Sequence, residues 1–217
     1  MYEFIVFDLD GTILDTIDDL AISANAVLEK NGAETHSLEK IKSFVGNGIR
    51  KLMERSLGEK YAGLLDTAFA DFVAYYNEHC NDNTKPYAGI LEMFAELKRL
   101  GIKSAVLSNK ADAPTKKLCK EHFDGLIVEA VGEREKEGIR RKPDPNALFA
   151  LMEKYGAKKE KTLFVGDSEV DLQTAKNAGV DCILVTWGLR SKEVLEESGC
   201  RVFADTPKDI LRLIVEV

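Results

Sequence analysis

The sequence predicts a three-layer α/β core built on a parallel sheet, interrupted just after its first strand by a helical module. Three observations carry this reading. Short β-branched runs recur with the length of buried strands, and amphipathic helical patterns separate the later ones. Between Thr16 and about Asn83, by contrast, helical faces follow one another with no strand among them. With 217 residues the chain is long enough for one core and a smaller accessory unit. We therefore expect residues 1–14 and 84–217 to form the core and residues 15–83 the helical insertion.

In chain order, Phe4-Ile5-Val6-Phe7 is the first strand. Thr16 with Asp19 suits a helix start, and Ile17, Leu20, Ala21, Ala24, Val27 and Leu28 continue as an apolar stripe that ends at Gly32. Gly46 and Gly48 make a break between helices. A longer stripe runs through Tyr61, Leu64, Leu65, Ala68, Phe69, Phe72, Val73 and Tyr76. Its aromatic content would also suit a cofactor box, but the helical spacing points to bundle core. In the core, Met93, Phe94, Leu97 and Leu100 share a helix face before Gly101. Ser104-Ala105-Val106-Leu107 and Leu126-Ile127-Val128 read as strands. A second face of Leu148, Leu151, Met152 and Tyr155 stops at Gly156, and Leu163-Phe164-Val165 and Cys182-Ile183-Leu184-Val185 complete the strand set.

Composition excludes several functions. The chain is 45% hydrophobic and 31% charged, and no apolar run approaches the roughly 20 residues of a membrane span. The opening Met-Tyr-Glu-Phe lacks the basic n-region and long apolar stretch of a signal peptide, so a cytoplasmic protein is expected. With 30 basic and 37 acidic residues, the net charge of −7 provides no global field to gather nucleic acid or an anionic membrane. Cys80, Cys119, Cys182 and Cys200 form no C-x-x-C pair, and His36, His79 and His122 are equally scattered. Zinc, a disulfide framework and a Cys/His nucleophile are all disfavoured. Nothing in the sequence sets an oligomeric state.

The strongest chemical signal is Phe7-Asp8-Leu9-Asp10-Gly11-Thr12, where a hydrophobic strand ends in two carboxylates. Ligands in α/β sheets collect at the carboxyl ends of strands. Strand alternation would aim Asp8 and Asp10 the same way, but Gly11 suggests a turn that re-aims the second. Two carboxylates in one crowded site repel unless a cation or a shared proton compensates.

These residues resemble the opening motif of the haloacid dehalogenase superfamily of phosphohydrolases, and three further motifs fit in order. Ser108-Asn109 follows the next strand, Lys142 precedes Pro-Asp-Pro, and Gly166-Asp167-Ser168 with Asp171 follows a later strand. Each alone would pass as a cap, a turn or a solvated lysine. Together they span the chain, and the resemblance implies a Rossmann-like core with an inserted helical cap.

The resemblance also implies roles. Asp8 is the nucleophile that forms an aspartyl-phosphate. A carboxylate attacking a phosphate dianion needs a hard divalent cation, expected as Mg²⁺ held by Asp8, Asp167 and the Asp10 backbone carbonyl. Asp10 protonates the leaving alcohol and then activates water. Lys142 places a positive charge on the phosphoryl group, while the Ser108 hydroxyl and backbone N–H groups at Leu9, Asp10 and Asn109 complete its cradle, with Gly11 and Thr12 also expected at the phosphate. Asp171, one helical turn beyond Asp167, orients a metal-bound water or Lys142, although a first-turn acidic residue favoured by the helix dipole reads the same way. The second aspartate favours a phosphatase over a dehalogenase, which needs neither proton donor nor metal.

Specificity must come from the insertion. Phe44-Val45-Gly46-Asn47-Gly48-Ile49-Arg50 and the downstream Met53-Glu54-Arg55 resemble the cap loop of phosphoglycolate phosphatases, which makes Asn47 a substrate-contact candidate; a plain helix–helix turn fits the same residues. Arg50 is a candidate for a substrate carboxylate on charge grounds alone. A small phosphorylated metabolite, 2-phosphoglycolate foremost, is the expected substrate. The alternatives are a related enzyme acting on pyrophosphate or a sugar phosphate, a phosphomutase, or a non-catalytic binding module. Trp187-Gly188-Leu189-Arg190 resembles a further family element without a derivable role.

Overall fold

In a computed structural model, which describes residues 1–135 and 138–215, the chain forms two compact units. One comprises Met1–Leu14 and Pro86–Val217, the other Asp15–Lys85. Of the segment expected as core, positions 136–137 and 216–217 lie outside the described residues.

The larger unit is a parallel sheet with helices on its faces. Its strands are β1 (Phe4–Phe7), β4 (Lys103–Ala111), β5 (Glu129–Glu133), β6 (Thr162–Gly166), β7 (Asp181–Val185) and β8 (Phe203–Ala204). Two-residue strands β2 (Leu14–Asp15) and β3 (Lys85–Pro86) mark the places where the chain leaves and re-enters this unit. The sheet order is β5-β4-β1-β6-β7-β8, parallel throughout. Strand β1 is central and buried along its whole length, pairing Phe4 with Lys103 on one side and Thr162 on the other. Successive strands run outward from β1 through β4 to β5, then return to β6 and run the other way. That reversal lies between β1 and β6, and in open α/β sheets ligands bind at the carboxyl ends of the strands that flank such a reversal.

The two faces follow from the period of two in β1. Phe4 and Val6 join Leu148, Leu151 and Met152 of α7 (Asn146–Tyr155) and Ala175 and Ala178 of α8 (Glu169–Ala178) in one apolar cluster. Phe7 packs edge-on to Phe94 of α5 (Ile90–Arg99), ring centroids 5.0 Å apart, and Phe94 in turn meets Phe123 of α6 (Asp112–Phe123) at 5.2 Å. Helix α9 (Lys192–Glu197) leads to β8, and α10 (Pro207–Val215) packs on α5.

One strand expectation is corrected. Leu126–Val128 is not a strand; Leu126 N–H closes a turn on the Phe123 carbonyl, Val128 is exposed, and β5 begins one residue later. The apolar run lies at the lead-in to an edge strand, where the ladder is fixed by backbone groups such as Val128 N–H donating to the Ser104 carbonyl. Gly132 is needed inside β5 because a side chain there would strike the Asp112 backbone.

The smaller unit contains α1 (Ile17–Lys30), α2 (Leu38–Phe44), α3 (Ile49–Leu57) and α4 (Leu65–His79). Leu20, Ala24, Val27, Leu28, Ile41, Leu52, Met53, Ala68, Phe72 and Tyr76 form its buried interior. Of the expected stripe only Ala68, Phe72 and Tyr76 are buried, with Phe72 stacked on Tyr76 at 5.4 Å; Tyr61 and Leu64 lie in a separate 3-10 segment (Glu59–Leu64) ahead of α4, and Leu65, Phe69 and Val73 are half-buried. The expected capping pair at Thr16 and Asp19 is not formed, since Thr16 makes no side-chain cap. Buried Asp19 instead accepts hydrogen bonds from the backbone N–H groups of Asn83 and Thr84, the Asn83 amide and the Thr84 hydroxyl. This pins the two ends of the unit's chain to each other.

Candidate active site

The two carboxylates after β1 diverge. Gly11 adopts φ +83°, a left-handed conformation, and the N–H groups of Thr12, Ile13 and Leu14 all turn back to the Leu9 carbonyl. Asp8 is directed to Lys142, whose Nζ lies 2.8 Å from Asp8 Oδ1. Asp10 is directed to Lys110, whose Nζ donates to both carboxylate oxygens at 2.8 and 3.0 Å. The turn thus gives each aspartate its own lysine.

Lys142 is fixed from three sides. Asn109 clamps its backbone, Oδ1 accepting from Lys142 N–H at 2.7 Å and Nδ2 donating to the Lys142 carbonyl at 3.1 Å. Its Nζ donates to Asp171 Oδ1 at 2.6 Å. The other Asp171 oxygen accepts from the Ser168 hydroxyl at 2.6 Å and from the N–H groups of Ser168 and Asp167. Both Asp171 oxygens are therefore engaged in holding Lys142 and the first turn of α8. Gly166 is required beside them, because a side chain would overlap the Asp171 carboxyl.

Asp167 directly follows the carboxyl end of β6, the strand paired with β1. Its Oδ2 accepts from Leu189 N–H at 2.6 Å. A β-carbon at Gly11 would overlap the same carboxylate, and one at Gly188 would strike both Asp167 and the Gly11 carbonyl. Trp187 Nε1 donates to the Thr12 carbonyl at 3.0 Å, tying the loop after β7 to the turn after β1. The motif Trp187–Leu189 therefore acts as a backstop for Asp167. Arg190 reaches Glu169 at 3.2 Å.

Burial pushes the Asp8 carboxyl up to about 7, with Asp171 and Asp10 adding repulsion that Lys142 only partly offsets. Asp167 is also raised well above the usual carboxylate range, by burial and then by Asp171 and Asp8, against a lowering contribution from Leu189 N–H. Burial pulls the Lys142 ammonium down, but Asp171 and Asp8 outweigh it and hold it above its ordinary value. Oxygens of Asp8, Asp167 and Asp171 lie within 4.8 Å of one another, and Asp8 Oδ1 lacks a well-directed hydrogen bond despite its proximity to Lys142. A hard divalent cation fits this donor set, since it would offset carboxylate repulsion that one ammonium leaves uncompensated. With Asp171 already engaged, Asp8 and Asp167 are the carboxylates available to hold it.

The other expected site residues are distributed as follows. Ser108, Asn109 and Lys110 lie where the β4–β5 register shifts between Leu107 and Ala111, so the Ser-Asn pair sits in an irregular stretch of β4 and not after its end. Ser108 is buried and its Oγ accepts from Lys110 N–H at 3.2 Å. Thr12 is buried with its hydroxyl unpartnered. Asn47 and Arg50 belong to the helical unit and are held within it. Asn47 Oδ1 accepts from Arg55 at 2.8 Å, and Arg50 pairs with Asp66 at 2.6 Å while lying over the Phe69 ring. Lys110 was not singled out by sequence, although strand alternation from Ser108 offered a signal: residues two apart share a face.

A family model described as haloacid dehalogenase-like hydrolase matches residues 5–185. The chain belongs to this family. Among its relatives, a phosphoglycolate phosphatase of Pseudomonas syringae pv. tomato is 33% identical over 213 residues, covering 94% of this chain and 76% of that one. A phosphoglycolate phosphatase of Nitrosospira multiformis is 33% identical, with 97% and 94% covered. A crystal structure from Lactobacillus delbrueckii subsp. bulgaricus, provisionally assigned as a phosphoglycolate phosphatase, superposes with a TM-score of 0.90 at 33% identity and 96% coverage of both chains. The protein is thus a hydrolase with the haloacid dehalogenase-like fold, and no helix among its described residues is long and apolar enough to cross a membrane.

For this hydrolase the Asp167 backstop has a measurable consequence. Gly188→Ala should displace Asp167 and lower kcat/KM by about a hundredfold, the scale of a misplacement near 1 Å. Any rise in melting temperature that added Mg²⁺ gives the unsubstituted protein should shrink in parallel. An unchanged Mg²⁺ response would show that the loop does not position Asp167.

Proposed function

We propose that this hydrolase is a Mg²⁺-dependent phosphatase of the cytoplasm that hydrolyses a small phosphorylated metabolite, 2-phosphoglycolate foremost, through an aspartyl-phosphate on Asp8. The observation that carries the reading is the pairing of a buried Asp8 with Lys142 beside Asp167, while Asp10 is held apart on Lys110. Two carboxylates with separate environments suit two roles. The relatives' names support the substrate, and the net charge of −7 argues against nucleic acid.

In the first step an Asp8 oxygen attacks phosphorus, the bond to the leaving alcohol breaks, and Asp10 supplies that alcohol's proton. In the second, water attacks the phosphoryl group, Asp10 takes the water's proton, and inorganic phosphate leaves as Asp8 is regenerated. Lys142, oriented by Asp171 and Asn109, meets the negative charge on the transferring group, with the Ser108 hydroxyl and the N–H groups of Leu9 and Asp10 as further donors, whereas the Gly11 and Thr12 N–H groups are taken by the Leu14 and Leu9 carbonyls. Asp8 and Asp167, with the Asp10 carbonyl, would hold a Mg²⁺ ion, whose charge would lower the repulsion between Asp8 and the phosphate dianion.

A panel of phosphorylated metabolites ranked by kcat/KM, assayed with and without Mg²⁺, tests this reading. We expect 2-phosphoglycolate to rank first. Activity should vanish after EDTA treatment, return with Mg²⁺, and return poorly with Ca²⁺, whose looser coordination positions Asp8 badly. A sugar phosphate or pyrophosphate at the head of the ranking would replace the substrate, isomerised product would identify a phosphomutase, and full activity of metal-free protein would remove the metal.

A further inference from the structure

We propose that Lys110 is a positioning residue for the second half of the reaction: its ammonium fixes the Asp10 carboxylate in the orientation from which Asp10 takes the proton of the attacking water. The inference rests on the phosphatase reading above and adds a residue to it.

The geometry separates Lys110 from an ordinary surface lysine. Its side chain is 2% exposed and bridges both oxygens of Asp10, so the carboxylate is held at two points. A single-point contact would leave Asp10 free to rotate about its side-chain torsion, whereas a contact to both oxygens restricts that rotation. Lys110 itself is braced, since its N–H donates to Ser108 Oγ and its carbonyl accepts from Thr115 Oγ1 at 3.3 Å. The brace comes from the irregular stretch of β4, where a register shift re-aims side chains beside the site. Lys142 cannot perform this task, because it is committed to Asp8 and Asp171. One lysine therefore serves the nucleophile and the phosphoryl group, and the other serves the acid–base carboxylate. Because the two-point contact orients the carboxylate that takes the water's proton, the effect should fall chiefly on breakdown of the aspartyl-phosphate.

The test is steady-state kinetics and acid-quench phosphoenzyme analysis on the full-length Mg²⁺-loaded protein, with p-nitrophenyl phosphate as the probe because its leaving group needs no proton. Lys110→Met should lower kcat at least tenfold and raise the phosphoenzyme fraction at steady state. Its kcat/KM should stay within about threefold of wild type, because that ratio reports steps up to phosphorylation. Lys110→Arg, which keeps the charge and two donors, should recover part of kcat. In an Asp10→Asn background, Lys110→Met should change kcat less than threefold, since a residue acting through Asp10 has nothing left to position. If Lys110→Met does not fold, Lys110→Gln makes the same comparisons. The inference is overturned if kcat is unchanged, if kcat/KM falls as much as kcat with no added phosphoenzyme, or if the two positions act additively. It is also overturned if the only effect is a higher KM for 2-phosphoglycolate, which would make Lys110 a reader of the substrate's carboxylate. Failure of the wild type to hydrolyse the probe would instead defeat the phosphatase reading itself.

Discussion

Asp8→Ala should abolish turnover, lowering kcat on the order of ten-thousandfold or more, the scale seen when a covalent nucleophile is removed. No neighbour can take over. Asp10 is held on Lys110, and both oxygens of Asp171 are bound to Lys142, Ser168 and Asp167. Folding should survive, because Lys142 keeps Asp171 as its partner and one of several crowded buried carboxylates is gone. The check is turnover of p-nitrophenyl phosphate alongside the urea midpoint. Near-normal kcat would eliminate Asp8 as nucleophile, and an unfolded variant would show that Asp8 is structural.

Lys142→Ala should damage both activity and stability. Deleting the charge that faces the transferring phosphoryl group should cost about a hundredfold or more in kcat/KM. It also strips the counter-charge from Asp8 and Asp171, and breaking a buried pair this way typically costs roughly 3–5 kcal/mol. In metal-free protein the penalty should depend on pH. A carboxyl whose folded pKa lies above its unfolded value favours the folded state below the unfolded value and loses that contribution as pH rises through the folded one. Asp8 is already raised to about 7 with Lys142 present, and removing the ammonium raises it further. The stability deficit of Lys142→Ala should therefore be smallest near pH 5 and grow toward pH 8. A deficit independent of pH would show that the lysine contributes packing and not charge. A loss of activity below threefold would reduce Lys142 to a structural cation.

The fold was legible where burial follows a simple period. The run at Phe4–Phe7, the face of Met93, Phe94 and Leu97, and the Ala68, Phe72 and Tyr76 positions of α4 lie where their spacing puts them, whereas Leu100 is exposed at the end of α5 and the stripe is broken ahead of Leu65 by a 3-10 segment. It was least legible at the sheet edge, where the Leu126–Val128 run is apolar but the ladder is built by backbone groups of Glu129–Glu133. Asp19 shows another limit. A capping pattern and a tertiary clasp use the same carboxylate, and only the return of the chain at Asn83 and Thr84 decides between them. In the site, the residues that align with motifs were visible, whereas their supports were not. Asn109 clamps the backbone of a lysine 33 positions away, and Lys110 meets an aspartate 100 positions away. The backstop formed by Gly188 and Leu189 depends on the loop after β7 returning to the β1 turn, a consequence of strand order that no local pattern encodes.

The central claim is that the phosphoryl group rests on Asp8 between two chemical steps. Acid-quenched Asp10→Asn protein, mixed with an activated aryl phosphate and Mg²⁺, tests it most directly, because breakdown of the intermediate should be slow once its base is gone. Peptide mass spectrometry should find one phosphoryl group per chain, on the peptide that carries Asp8. A phosphoryl group on a different residue, or release of the aryl alcohol with none retained on the protein, would contradict the account.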